Sequence, residues 1–321
     1  MTLITAKDVA IVCPTKNQPK KVVRLLTSIA ALIEKPDQII VADGGHNLKP
    51  VVAPFRQKLK VTCLYCPEIG QVLQRNHAHK YLKQRIKIVI HLDDDTTLNA
   101  DAITEMLAFW NRESNTKDKP IAGVSFNVQD LPKTQPSALR KLFFLQTEPA
   151  GNVFKSGYAA PYMPTKISQS TSWLVGGATA WSRDVIDRVF HPIDFPTRWA
   201  VCEDLIFSYP LRNKYRLMVA AQAKTYHNET YDKMSFQRGK FYGLSGAIMR
   251  YHFVRLNPDL HTGAYVWMTF GIILGNLVRG LLGSRRHLGL CFGGANGMIR
   301  AISCSIIDGD SARLAKSLAD K

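Results

Sequence analysis

Short unbroken apolar runs alternate with longer stretches of helical spacing over the first 130 residues. Residues 9–13 (VAIVC) form an apolar run closed by Pro14, which predicts a buried strand. Within 20–33, apolar residues fall at Val22, Val23, Leu26, Ile29, Ala30 and Ile33, the spacing of a helix face. Residues 38–42 are a second strand run, stopped by Asp43-Gly44-Gly45, and 61–65 a third. Residues 72–82 read as a helix. The strongest strand is 86–92 (IKIVIHL), which runs directly into Asp93-Asp94-Asp95. A helix over 102–110 and a strand over 121–128 follow. Residues 129–171, rich in Pro, Ser, Thr and Gln, predict a long connection, and order returns over 172–181 (SWLVGGATAW).

Strands alternating with helices imply a mostly parallel sheet with helices on its faces. Such sheets bind ligands beyond the carboxyl ends of their strands. Three polar clusters lie at such ends: Thr15-Lys16-Asn17, Asp43-Gly44-Gly45 and Asp93-Asp94-Asp95. No GxGxxG follows the first strand and no GxxxxGK[ST] occurs, which removes the dinucleotide-binding and P-loop readings. Beyond Tyr226 the pattern changes. Residues 244–256 predict an amphipathic helix with Arg250 and Arg255 outward. Residues 262–278 carry no charge and are followed by Arg279, Arg285 and Arg286. A spanning helix needs about 20 apolar residues, so this run is open to three readings: a buried core helix, a span, or a membrane-surface element. Its basic flanks favour the last, on an anionic leaflet.

Charge sharpens this picture. Lys and Arg number 42 against 25 Asp and Glu, a formal net charge of +17. Residues 205–300 hold 13 Lys/Arg against 3 Asp/Glu, so much of the excess lies downstream of the acidic motifs. The partner is therefore anionic: nucleotide phosphates, nucleic acid or a membrane face. Nucleic acid is disfavoured, because three carboxylates at a strand end repel phosphate unless a metal intervenes, and no RRM-type aromatic motif is present. Six cysteines show no disulfide framework. Cys63 and Cys66 have metal-ligand spacing without a second pair, and read as thiols of a core strand. The opening residues show no basic, apolar leader, so a cytoplasmic, reducing setting is expected.

The acidic motifs carry the chemistry. Three aspartates ionised together in a partly desolvated site repel one another, and a divalent cation relieves this. Mg²⁺ or Mn²⁺ takes carboxylate oxygens and completes its shell with substrate phosphates. In an extended segment the first and third residues share a side, so Asp93 and Asp95 are the better pair. The competing reading is an acidic loop that caps the next helix. Glu203-Asp204 precedes an apolar helical stretch, where an N-cap role competes with a general base. His227 is a candidate third metal ligand or a structural histidine.

In this order the motifs resemble glycosyltransferase family 2, inverting enzymes of the GT-A fold, from about residue 9 to residue 242. The resemblance implies a nucleotide-side turn at Pro14-Thr15 and a base contact at Asp43. It also implies an Arg-Asn pair near the donor (Arg75-Asn76), the DxD metal motif at Asp93-Asp94-Asp95 with Asp94 toward the donor, and an acceptor-side segment containing Trp173, Gly176 and Gly177. Glu203 is then acceptor-side, Asp204 the base and His227 a metal ligand with Asp93 and Asp95. The Gln-x-x-Arg-Trp motif of processive synthases is absent, which implies addition of one sugar; Gly45 stands where Ser is usual. The tail is similar to that of membrane-associated bacterial members, including rhamnosyl- and galactofuranosyl-transferase-like ones.

The expectation is an α/β GT-A catalytic domain over 1–242, its donor half about 1–128 and acceptor half about 129–242. A helical, basic and hydrophobic membrane-association region follows over 243–321. The implied activity is metal-dependent transfer from a nucleotide-diphosphate sugar to a hydroxyl of a glycan or glycolipid. The implied setting is the cytoplasmic face of an anionic membrane. Two alternatives are a polyprenyl-phosphate glycosyltransferase and a non-catalytic basic membrane- or nucleic-acid-binding protein.

Overall fold

The computed structural model describes residues 3–45, 47–114, 119–132, 134–189, 201–228, 234–307 and 309–318. The chain divides into two compact units. The first comprises Met1–Lys133, Tyr162–Phe195 and Phe207–Glu229; the second comprises Thr134–Pro161, Pro196–Ile206 and Thr230–Lys321.

The first unit is built on one nine-stranded sheet. In chain order its elements are β1 (Val9–Thr15), α1 (Pro19–Ala30), β2 (Gln38–Asp43), α2 (Lys49–Val52), β3 (Val61–Tyr65), α3 (Gln71–His79), β4 (Ile88–Leu92), β5 (Thr96–Leu98), α4 (Ala102–Ser114) and β6 (Ile121–Val128). The neighbours β3-β2-β1-β4 run parallel. Every residue of β1, β2 and β4 is buried, which is why these strands read as unbroken apolar runs rather than alternating ones. Helix α1 begins with Pro at its first position and buries Val22, Leu25, Leu26 and Ile29. It stops at Ala30, and Val23 and Ile33 lie outside the buried stripe.

Beyond β4 the sheet becomes mixed. Between β6 and the next long strand the chain forms α5 (Ala138–Leu142), β7 (Gln169–Ser170), β8 (Ala178–Ser182), α6 (Arg183–Arg188) and α7 (Glu203–Ser208). The expected long connection over 129–171 contains a helical turn and a short strand. β9 (Arg216–His227) is twelve residues long and pairs with β6, β5 and β7. It escaped the sequence pattern because its centre is alanine-rich (Val219-Ala220-Ala221), a weak strand signal. β8 lies antiparallel between β4 and β6, with Trp181 buried against Phe207.

In the second unit, α8 (Phe236–Leu256), α9 (Thr262–Leu281), α10 (Arg285–Ile307) and α11 (Ser311–Lys316) dominate. Helix α8 starts 8 residues earlier than the pattern implied, with Ser235 capping through Arg238 N–H. Arg250 is not turned outward as expected: its Nη1 donates to Gly157 O at 2.6 Å. α8 and α10 approach through glycines. A Cβ on Gly239 would stand 2.5 Å from Arg286 O, and one on Gly297 would stand 2.7 Å from Ala247 Cβ. Tyr251, Val254, Tyr265, Met268 and Ala301 form the core of this unit with Phe143 and Leu145.

Candidate functional site

The carboxyl ends of β1, β2 and β4 open at one edge of the parallel half, with α3 lying across them. Gln74 Nε2 donates to Thr15 O at 2.8 Å and Ala42 O at 2.7 Å, tying the ends of β1 and β2 together. Thr15, which follows Pro14 at the end of β1, donates from Oγ1 to Asp94 Oδ2 at 2.6 Å. Asp43 is buried, and its two carboxylate oxygens accept Gly45 N–H and Leu48 N–H, each at 2.9 Å. It thus fixes the loop after β2.

The three aspartates separate by role. Asp93 Oδ1 accepts Arg75 Nη2 at 2.9 Å and Gln71 Nε2 at 2.5 Å. Arg75 is fully buried, so an ion pair held mostly out of water fixes this carboxylate. Asp95 Oδ2 accepts Lys21 Nζ at 3.1 Å. Burial pushes the Asp94 carboxyl up to about 6; Thr15 and Lys21 pull it down, and the flanking aspartates add to the rise. Three carboxylates in one turn are electrostatically unfavourable, and Lys21 supplies part of the compensation.

Sheet topology delivers the distant histidine. Short strand β5 starts immediately after Asp95, and Thr96 pairs with His227 at the end of β9. This sets His227 Nε2 3.2 Å from Asp95 Oδ1. Asp130 Oδ1 accepts His227 N–H at 2.7 Å, and Asn228 Nδ2 bonds Thr97 Oγ1 at 2.8 Å, so both sides of the strand end are pinned. One ligand atom each from Asp93, Asp95 and His227 lies within 4.8 Å of the others. Two carboxylate oxygens and an imidazole nitrogen converging in this way, with Asp93 already oriented by Arg75 and Gln71, fit a divalent cation of the Mn²⁺ or Mg²⁺ kind.

Gly177 closes the site from β8's side. Asp93 N–H donates to Gly177 O at 3.0 Å, and a Cβ on Gly177 would collide with the Asp93 carboxylate. The glycine therefore stands against the acidic cluster itself. Gly177→Ala should leave the fold intact and push Asp93 aside, weakening Mn²⁺ binding by about tenfold, the scale of a disturbed outer shell. Calorimetric titration measures this; an unchanged dissociation constant would contradict the placement. Gly176 and Trp173 are partly exposed, with the Trp173 ring edge-on to Tyr162 at 5.2 Å. Asn76 is buried beside Arg75 in α3.

Glu203 and Asp204 open α7 and belong to the second unit. Glu203 is buried, and Asp204 Oδ1 accepts Leu205 N–H at 2.9 Å. Burial first, and the neighbouring Glu203 second, push the Asp204 carboxyl up to about 7, with Arg250 acting in the opposite direction.

Sequence reasoning missed Lys21, Gln71 and Gln74. Gln71 lies four residues before Arg75 on one face of α3, so the position of Arg75 was the signal that could have found it, whereas Gln74, its immediate neighbour, had none. Lys21 read as an ordinary solvated lysine of the first helical turn.

The comparisons agree with this architecture. Residues 10–164 match the family model described as glycosyl transferase family 2. No curated protein matches the sequence. Among solved structures, the Staphylococcus aureus TarS 1–349 fold is similar at a TM-score of 0.55 and 13% identity, covering 98% of this chain and 90% of that one. The mannosyltransferase PcManGT from Pyrobaculum calidifontis is similar at 0.52 and 15%, covering 94% and 88%. With the family match over the strands and helix that carry Thr15, Asp43, Arg75 and the triple aspartate, the chain is a glycosyltransferase whose residues 10–164 are similar to glycosyltransferase family 2.

Proposed function

We propose that this protein moves one sugar from a nucleoside-diphosphate sugar to a hydroxyl acceptor, with inversion, at the cytoplasmic face of a membrane, and that a divalent cation is required. The observation that carries the reading is the convergence of Asp93, Asp95 and His227 within 4.8 Å. The P. calidifontis mannosyltransferase, in complex with GDP-Man and Mn²⁺, and TarS 1–349, in complex with UDP, support the donor class.

Bound there, the cation would neutralise the diphosphate leaving group. Asp93, Asp95 and His227 would hold it, and Arg75 and Gln71 keep Asp93 in place. Thr15 holds Asp94 toward the donor side, and Pro14 with the Asp43-fixed loop shapes the nucleotide pocket. Trp173, Gly176 and Glu203 are assigned to the acceptor side. Asp204 takes the proton of the acceptor hydroxyl, whose oxygen then bonds the anomeric carbon as the carbon–diphosphate bond breaks on the opposite face. A carboxyl with its pKa near 7 suits a base at neutral pH.

A thermal-shift screen of nucleoside-diphosphate sugars with Mn²⁺ and Mg²⁺ tests the donor half. One nucleotide class should raise Tm only when the metal is present, because a ligand at about 100 times its dissociation constant adds roughly 2.7 kcal/mol. A shift that persists in excess chelator would remove the metal from the scheme.

A further inference from the structure

We infer that the outward face of α9, together with residues 139–144, docks on the interfacial region of an anionic lipid bilayer. In α9 the exposed large apolar residues include Trp267, Phe270, Leu274, Leu277, Val278 and Leu281. Their spacing is that of one helical stripe, and it points away from the protein's own core. Leu281 is 76% exposed and Leu282 83%, where a soluble helix would present charge. A second segment, remote in sequence, extends the same patch. Trp267 Nε1 donates to Leu142 O at 2.8 Å, and Phe143 packs on the rings of Trp267 and Phe270. This brings exposed Leu139, Leu142 and Phe144 alongside.

Charge identifies the occupant. Lys141, Arg279 and Arg285 are exposed on the same segments or at the end of α9. Helices α8, α9 and α10 contain no Asp or Glu at all. A second copy would bring the same basic rim against itself, and like charges across an interface are unfavourable. An anionic headgroup layer satisfies both the apolar stripe and its rim.

The packing favours lying in the interface over crossing it, although α9 and α10 are each long and apolar enough to span. The inner face of α9 buries Tyr265, Met268 and Thr269, and Tyr265 Oη donates to Ala247 O at 2.9 Å. α10 is held against α8 by close glycine contacts, and α8 carries Arg238, Lys240, Arg250 and Arg255. Drawing α10 into hydrocarbon would require breaking this packing or immersing those charges.

The same unit carries Asp204, on whose charge Arg250 of α8 acts. The role of Asp204 rests on the proposed transfer, whereas docking does not.

The test is co-sedimentation of the full chain with vesicles of phosphatidylcholine alone or mixed with phosphatidylglycerol. Binding should be at least about tenfold stronger on the anionic vesicles, the scale expected for a few interfacial basic residues. Leu274→Asp with Leu277→Asp should lower it by about tenfold or more, and Lys141→Glu with Arg279→Glu should abolish the anionic preference. All substituted side chains are exposed, and an unchanged Mn²⁺-dependent donor shift in both variants would show that the donor site is intact. Wild-type protein left in the supernatant, or variants that bind equally well, would overturn the proposal. So would a concentration-dependent dimer in ultracentrifugation that the double leucine variant loses. Intact vesicle binding without any donor shift in the wild type would count against the transfer alone.

Discussion

Asp95→Asn is expected to abolish the stabilisation of this protein by Mn²⁺ and to lower kcat/KM by about 10³-fold, the scale of several kcal/mol lost with a metal at the leaving group. The substitution keeps the shape of the side chain. It removes one of two carboxylates whose oxygens, with His227 Nε2, lie within 4.8 Å of one another. The amide presents either a donor or a neutral oxygen where a charged ligand is needed. The backbone role of Asp95, whose carbonyl accepts Asn228 N–H at 3.0 Å, is untouched, so the strand pairing that positions His227 survives. Without metal the variant should melt close to wild type, because a repelling charge leaves the triple aspartate while Lys21 loses one ion pair and keeps Asp94 at 3.8 Å. The informative measurement is the difference between Tm with Mn²⁺ and Tm with chelator. A wild-type response in Asp95→Asn would exclude this cluster as the metal site.

Asp204→Asn is expected to lower kcat by about 10³-fold with little change in donor affinity, within the range that a positioned base contributes. The wild-type rate should rise with pH through about 7 and level off, since the base works only when ionised and its carboxyl is pushed up to about 7. The variant's residual rate should lack that rise. Stability should move the opposite way. The folded pKa is raised above the unfolded value, so the stabilisation by the protonated carboxyl is complete below about 4 and is lost as pH rises through about 7. Asparagine cannot ionise and avoids this loss. Tm of the variant should therefore exceed wild type at pH 8, and the gap should close toward pH 4. Near-wild-type turnover would sink the assignment of the base. A Tm gap independent of pH would show that Asp204 is not held in a desolvating site.

Much of residues 1–128 was legible in the chain because burial on both faces leaves a plain signature. β1, β2 and β4 are apolar throughout, and their ends are marked by Thr15, Asp43 and the triple aspartate. The pairing of Asp93 with Asp95 followed from the alternation of an extended segment, and the structure turns Asp94 to Thr15 instead. The sequence alone determined which residue types were available as candidates for metal, donor and base, and that residues 262–278 were uncharged and basic-flanked.

Tertiary structure decided everything that depends on where the chain returns. Nothing near His227 announces that β9 pairs with the three-residue strand after Asp95. Gln71, Gln74 and Lys21 are ordinary polar helix residues until α3 and α1 cross the strand ends. Gly177 became a constraint on Asp93 only once β8 lay beside β4, because a missing Cβ has no pattern of its own. The same holds for α9. Seventeen uncharged residues fix how long and how apolar the helix is. Which side of it faces the protein was settled by Tyr265, Met268 and Phe143, and that choice leaves Trp267 to Leu281 looking outward. Periodicity records that a helix has faces; only packing assigns each face a neighbour.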